Sequence, residues 1–244
     1  MAGGRVLSPM LRRLAVDRAT GTLVRDQGRL YLVDGRVAHA ESPFAPGPEV
    51  LLGTAGHGAP SAGAPAVGAG ERDICRLSAL YDAAFFALAP GCGPARFRYG
   101  APGSAGPGRP VSAVDVEQET LRRRALLDRV WPHPAVDTAP VLPAAAPDQP
   151  RRRPGPRARA LLEHADGVRT PTQLAWALGR PAFHTLLEVR RLAAAGLVET
   201  PRPPAAPSNA PITPVIPPQA LPPPGADPDI DLLRRVRDLL EARL

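Results

Sequence analysis

Apolar positions change their spacing along the chain, and each change marks an expected element. Ser8-Pro9 is a helix start, and Met10, Leu11 and Leu14 follow it on one helical face. From Gly21 the period falls to two. Gly21 to Arg25 predicts a first strand, Asp26-Gln27-Gly28 a turn and Arg29 to Val33 a second strand. Asp34-Gly35 is then a hairpin signal leading into a third strand, Arg36 to Ala40. In the second strand Tyr31 and Val33 share one face and Leu30 and Leu32 the other, so it should be central and covered on both sides. Helical spacing returns at Arg72 to Leu88, with Ile74, Leu77, Ala84 and Phe85 inward. It recurs at Ser112 to Val130, with Val114, Leu121, Ala125 and Leu126 near one face, until Trp131-Pro132 stops it. That second helix should either pair with its copy in a dimer or lie on the N-terminal domain.

The stretch from 157 to 200 predicts three short helices and a strand. Leu161, Leu162 and Ala165 lie at helical spacing before Asp166-Gly167 closes the first helix. Thr170-Pro171 opens the second, because Thr accepts free N–H groups and Pro suits the first helical position. It turns Leu174, Ala175 and Leu178 inward and stops at Gly179, where positive φ is cheap. A third helix runs from about Pro181 to Ala195 and, after Gly196, leads into Leu197-Val198.

Two resemblances follow from these runs. GTLVRDQGRLYLVDGRVAHAES, followed by Gly47 and Val50-Leu51-Leu52, resembles the PatA N-terminal (PATAN) type of bacterial signalling domain. Gly21, Leu23, Gly28, Tyr31, Asp34, Gly35, Val37, Ala38 and Ala40 fit that pattern in order. Tyr81 to Phe86 and Phe97-Arg98-Tyr99 look like its closing helix and last strand, while the Gly/Ala/Pro-rich stretch 53–70 departs from it as an insertion. The resemblance implies a regulatory interaction module without catalytic residues. Residues 157–200 resemble the winged helix-turn-helix of bacterial transcriptional regulators, in the apolar pattern ending "AAGLV".

The expected fold class is α+β: a small antiparallel-sheet N-terminal domain with helices (1–110), a linker helix (111–131) and a mainly α winged-helix domain (157–200). Pro and Gly supply 56 of the 244 residues, so 132–156 and 201–228 are expected to be disordered Pro-rich linkers. A C-terminal amphipathic helix, 229–244, closes the chain. Its apolar stripe includes Leu233, Val236 and Leu240, and so short a helix should dock onto its own chain or a partner.

Charge refines the picture. All thirty basic residues are Arg, against 23 acids, and residues 151–202 hold ten Arg against four acids. A local positive field favours a polyanion such as DNA, and equally describes a solvating linker in an Arg-rich chain. Cys75 and Cys92 lack metal-site spacing, and no cofactor is expected. No apolar run has the length of a signal core or a span, so the expectation is a cytoplasmic protein with no membrane partner.

The five His residues sit in unrelated contexts and no catalytic motif appears, so no enzyme is expected. His39 and His164 read as packing or surface residues. On the third helix of the 157–200 module, His184, Leu187, Glu188 and Arg191 should point outward if Val189 and Leu192 face inward. For DNA, Arg180, His184, Arg190, Arg191 and Arg151, Arg152 and Arg153 are the candidate contacts. For a protein partner they are Leu187 and Glu188, with Leu233, Val236 and Leu240. The expected function is that of a non-enzymatic bacterial transcriptional regulator that binds DNA through the winged helix, with the N-terminal domain as signal or partner module. The alternative is a signalling adaptor that docks proteins through the winged helix and the C-terminal helix, since fold alone does not decide.

Overall fold

The structure, a computed structural model, describes residues 8–53, 68–91, 93–101, 109–145 and 154–200. Most of the 53–70 insertion, Arg151 to Arg153, the 201–228 linker and the helix 229–244 lie outside those residues. The described residues fall in one compact unit. They form a mixed α+β fold with one five-stranded antiparallel sheet and seven α-helices.

The first helix, α1 (Pro9–Val16), starts on the Ser8 cap and buries Leu11 and Leu14. The strands β1 (Gly21–Arg25), β2 (Gly28–Val33) and β3 (Arg36–Glu41) follow as a meander. Their hairpin turns on Asp34 and Gly35, both at positive φ. A side chain at Gly35 would also collide with the Ala15 carbonyl oxygen of α1, so Gly is needed there twice over. A short helix α2 (Pro48–Leu51) precedes α3 (Ala69–Ala87), and β4 (Arg96–Tyr99) returns to pair with β1. A two-residue strand β5 (Val111–Ser112), absent from the sequence expectation, pairs with β3 and leads directly into α4 (Ala113–Val130).

The sheet order β4-β1-β2-β3-β5 puts β2 in the centre, as its apolar character predicts. Leu30 and Leu32 are fully buried among α1, α3 and α4 side chains. On the opposite face Tyr31 is covered by the stacked ring of its cross-strand partner His39, and its hydroxyl donates to Glu41 at 2.8 Å. Burial and the nearby Glu41 carboxylate raise the Tyr31 pKa above its ordinary value.

Helix phases depart from expectation. In α3, Ala84 and Phe85 are buried, but Ile74 and Leu77 are exposed, the buried residues beginning only at Ala79. In α4 the buried face is Val116, Glu117, Thr120, Arg123 and Leu127, while Val114 and Ala125 are exposed. The apolar positions misplaced that face because three polar residues occupy it, each with a partner. Glu117 accepts from the Ser8 N–H and from Arg12 Nε, pinning the start of α1. The Thr120 hydroxyl donates to the Val116 carbonyl, and Arg123 pairs with Asp82 of α3.

The segment expected to be a disordered linker is folded from 132 to 145. A 3-10 turn at Pro134–Asp137 buries Val136, and Val141 is buried beyond it. Val141 N–H donates to the Arg169 carbonyl and Glu199 N–H to that of Leu142, so this strip lies between two later loops. The expected terminal strand Leu197-Val198 reduces to a single antiparallel bridge, Val198 to Pro143. Its partner thus comes from the strip that composition marked as unfolded.

The last three helices are α5 (Pro156–His164), α6 (Pro171–Leu178) and α7 (Ala182–Ala194). Thr170 and Gln173 form a reciprocal capping box on α6, and Gly179 ends it in the left-handed region. Leu161, Leu174, Val189 and Leu192 make a small core with Val136, Val141 and Val198. Phe183, Leu186 and Leu187 instead join the core that fills the sheet side. The expected boundaries at 110, 131 and 156 therefore do not separate bodies: α4, expected as a linker helix, packs on α1, α3 and α7.

Candidate interaction surface

Helix α7 is positioned by groups that sequence spacing does not reveal. Its first turn is anchored where the Phe183 N–H donates to Asp82 Oδ2 at 3.2 Å. Arg123, paired with the same carboxylate and with Glu119, lies over the Phe183 ring at 4.6 Å. Burial pushes the Asp82 carboxyl above the ordinary range, against the lowering pull of Arg123. Glu119 goes the other way: hydrogen bonds from Arg122, and from Arg123 after a smaller opposing cost of burial, bring it down to about 2.

Farther along α7, Arg190 is buried and held from three directions. It donates to both Asp137 oxygens (2.8 and 2.6 Å), to the Trp131 carbonyl (2.7 Å) and to Asp128 (3.3 Å). Arg190 was a candidate DNA contact; the structure assigns it to joining α7 with α4 and the 3-10 turn. Leu187, a candidate partner contact expected to point outward, is 7% exposed and packs in the main core. Phe183 and Leu186 one turn earlier explain both corrections, because they tilt the covered arc of α7 well past Val189 and Leu192.

What remains open on α7 is His184, half-buried Glu188 and Arg191 at i, i+4 and i+7, with Ala194 in the last turn. Beside it lies an open pocket of about 380 Å³ between α5, the α6–α7 turn and α7. Arg157, Arg180 and Arg191 reach it from those three elements, and Leu161, Pro181 and Leu187 add apolar lining. Arg180 Nη1 donates to the Arg157 carbonyl at 3.2 Å, which fixes that guanidinium across the turn. Arg191 meets Glu188 at 3.4 Å, a partly exposed pair of small energetic weight. Partial desolvation lowers the His184 pKa, with Arg123, Arg157 and Arg191 adding to the effect and Asp82 opposing it.

Of the expected contacts, Arg180, His184, Leu187, Glu188 and Arg191 thus line one pocket. Arg151, Arg152, Arg153, Leu233, Val236 and Leu240 lie outside the described residues. Sequence reading missed Arg157, whose place in the first turn of α5 puts it beside the α6–α7 turn. It also missed Asp82 and Arg123, which no local pattern pairs across 41 positions. His39 and His164 take packing and surface roles: His39 stacks on Tyr31, and His164 Nδ1 lies 2.9 Å from the Ala160 carbonyl.

Among the described residues no three His, Cys, Asp or Glu side chains converge to hold a metal ion, and no helix is long and apolar enough to cross a membrane. Comparison with protein families, with curated proteins and with solved structures finds no match to this chain.

Proposed function

We propose that the chain is a non-enzymatic regulatory protein of bacterial type that works as a protein-interaction adaptor. In this reading the N-terminal sheet is a PATAN-like signal or partner module, and α5–α7 with the Val198 strip form a winged helix used for docking. One observation carries the choice between docking and base reading: two cores cover adjoining faces of α7, so that only one side of the helix is left open. A recognition helix enters a major groove only if it protrudes with a broad polar face. Here the open side carries His184, half-buried Glu188, Arg191 and Ala194, and phosphates repel the acid among them.

A transcriptional regulator is the second reading, favoured by the cations Arg157, Arg180 and Arg191 lining one pocket and by the run Arg151 to Arg153 a few residues earlier in the sequence. Fluorescence anisotropy of the full chain on random duplex DNA across a salt series separates the two. The adaptor reading expects weak binding with a shallow salt slope. Micromolar binding with a steep slope that flattens in Arg191→Ala would overturn it in favour of DNA.

A further inference from the structure

The pocket beside α7 combines cationic and apolar lining. Three arginines line it from three different elements, together with Leu161, Pro181 and Leu187. Glu188, itself engaged by Arg191, is the one carboxylate in that lining. Among the described residues Arg157 and Arg180 have no ion-pair partner, so the pocket keeps a formal surplus of two positive charges (three Arg, one Glu). A charge run kept only for solvation leaves its cations pointing to open water. Here Arg180 is half-buried and held across the turn by the Arg157 carbonyl.

Resting on the docking reading above, we propose that this pocket is the binding site for a short acidic segment of a partner protein, in which carboxylates alternate with aliphatic residues. The carboxylates pair with Arg157, Arg180 and Arg191, whose planar guanidinium groups suit bidentate contact with carboxylates. An aliphatic side chain between them covers the Leu161–Leu187 floor. Along α7, His184 to Arg191 rises about 10 Å, so the open side of the helix beside the pocket is about as long as three extended residues. A lone inorganic anion would leave the apolar floor wet. A nucleic acid would meet Glu188 and the leucines where it needs donors.

The test is anisotropy of the full-length protein with the fluorescein-labelled peptide GSDLDLDSG. Two control peptides accompany it, one with Asn for every Asp and one with Ser for every Leu. Binding in the range of roughly 10–100 μM is expected, about tenfold weaker for either control. Arg157→Glu and Arg180→Glu should each weaken binding about tenfold, the size of one lost charge-assisted contact. Both sites are outside the cores, so an unchanged thermal midpoint shows that the variants fold; Arg191→Glu gives a third, independent reversal. Equal binding by the Asn peptide, or by all three variants, overturns the assignment. Absence of peptide binding overturns it alone if random duplex DNA also fails to bind. Displacement of the peptide by duplex, with a steep salt slope, overturns both this assignment and the adaptor reading.

Discussion

The sheet and the α3–α4–α7 junction are held by different chemistry. Leu23, Leu30, Leu32 and Val37 are fully buried and need no particular partner, only apolar surroundings of the right volume. At the junction the buried charged groups are Asp82, Arg123 and Arg190, each specified by a named counterpart, as Glu117 is where α4 meets α1. Apolar burial is tolerant and non-directional. A buried ion pair is directional, adds little net stability over an apolar substitute, and is costly when one half is removed. The sheet is thus fixed by composition and pattern, and the attachment of α7 by a few directional pairings added to the apolar contacts of Phe183, Leu186 and Leu187.

The comparison breaks most visibly at Asp82 and Arg123. Arg123→Ala leaves Asp82 buried without its cation and should cost about 3–5 kcal/mol in urea unfolding. The joint change Asp82→Leu with Arg123→Met should cost clearly less than the single one. A double variant as unstable as the single would mean that the pair itself, not its orphaned half, holds the junction. Leu32→Ala, at the centre of the sheet, should cost about 3 kcal/mol, without the rescue by a second substitution that marks the ionic site. Arg190→Ala should cost about 2–3 kcal/mol and leave the GSDLDLDSG affinity unchanged once the protein is folded, which a titration above and below the new midpoint would check.

Acid separates the regions more finely. The Glu119 pKa is lowered from 4.5 to about 2 in the fold, so its contribution is present above about pH 4.5 and is lost as pH falls from there towards 2. After allowance for solvent at this partly exposed pair, the loss should be about 1–2 kcal/mol. Glu119→Gln should flatten that limb of the stability profile, while Leu32→Ala should leave its shape intact. Smallest is Thr170→Ala, which removes half of a capping box and should cost about 1 kcal/mol with no pH dependence in this range.

Legibility followed the same division. The strands, the Asp34-Gly35 turn, the Ser8 and Thr170 caps and the Gly179 stop were readable because each rests on local chemistry within a few residues. The buried face of α4 was not, since Glu117, Thr120 and Arg123 look like surface residues until Ser8, Arg12 and Asp82 are beside them. Strip 132–145 looked unfolded because Pro and Ala dominate it, yet Val136 and Val141 suffice to seat it. At the candidate site the helical stripe of α7 was legible in part. His184, Glu188 and Arg191 were placed correctly, whereas Leu187 and Arg190 were misplaced because a second packing partner for α7 leaves no periodic trace.

That second partner bears on how such a chain can be rearranged by recombination. A group of helices with a core of its own can be moved from one chain to another as a unit. Here an exchange cut at Pro156 would strip cover from Phe183, Leu186 and Leu187 and strand Arg190 without Asp137 and Asp128. Only a transfer that took α3, α4 and the 132–145 strip along would preserve the packing. Lineages built on this plan should therefore inherit the two halves together and change by substitution within them.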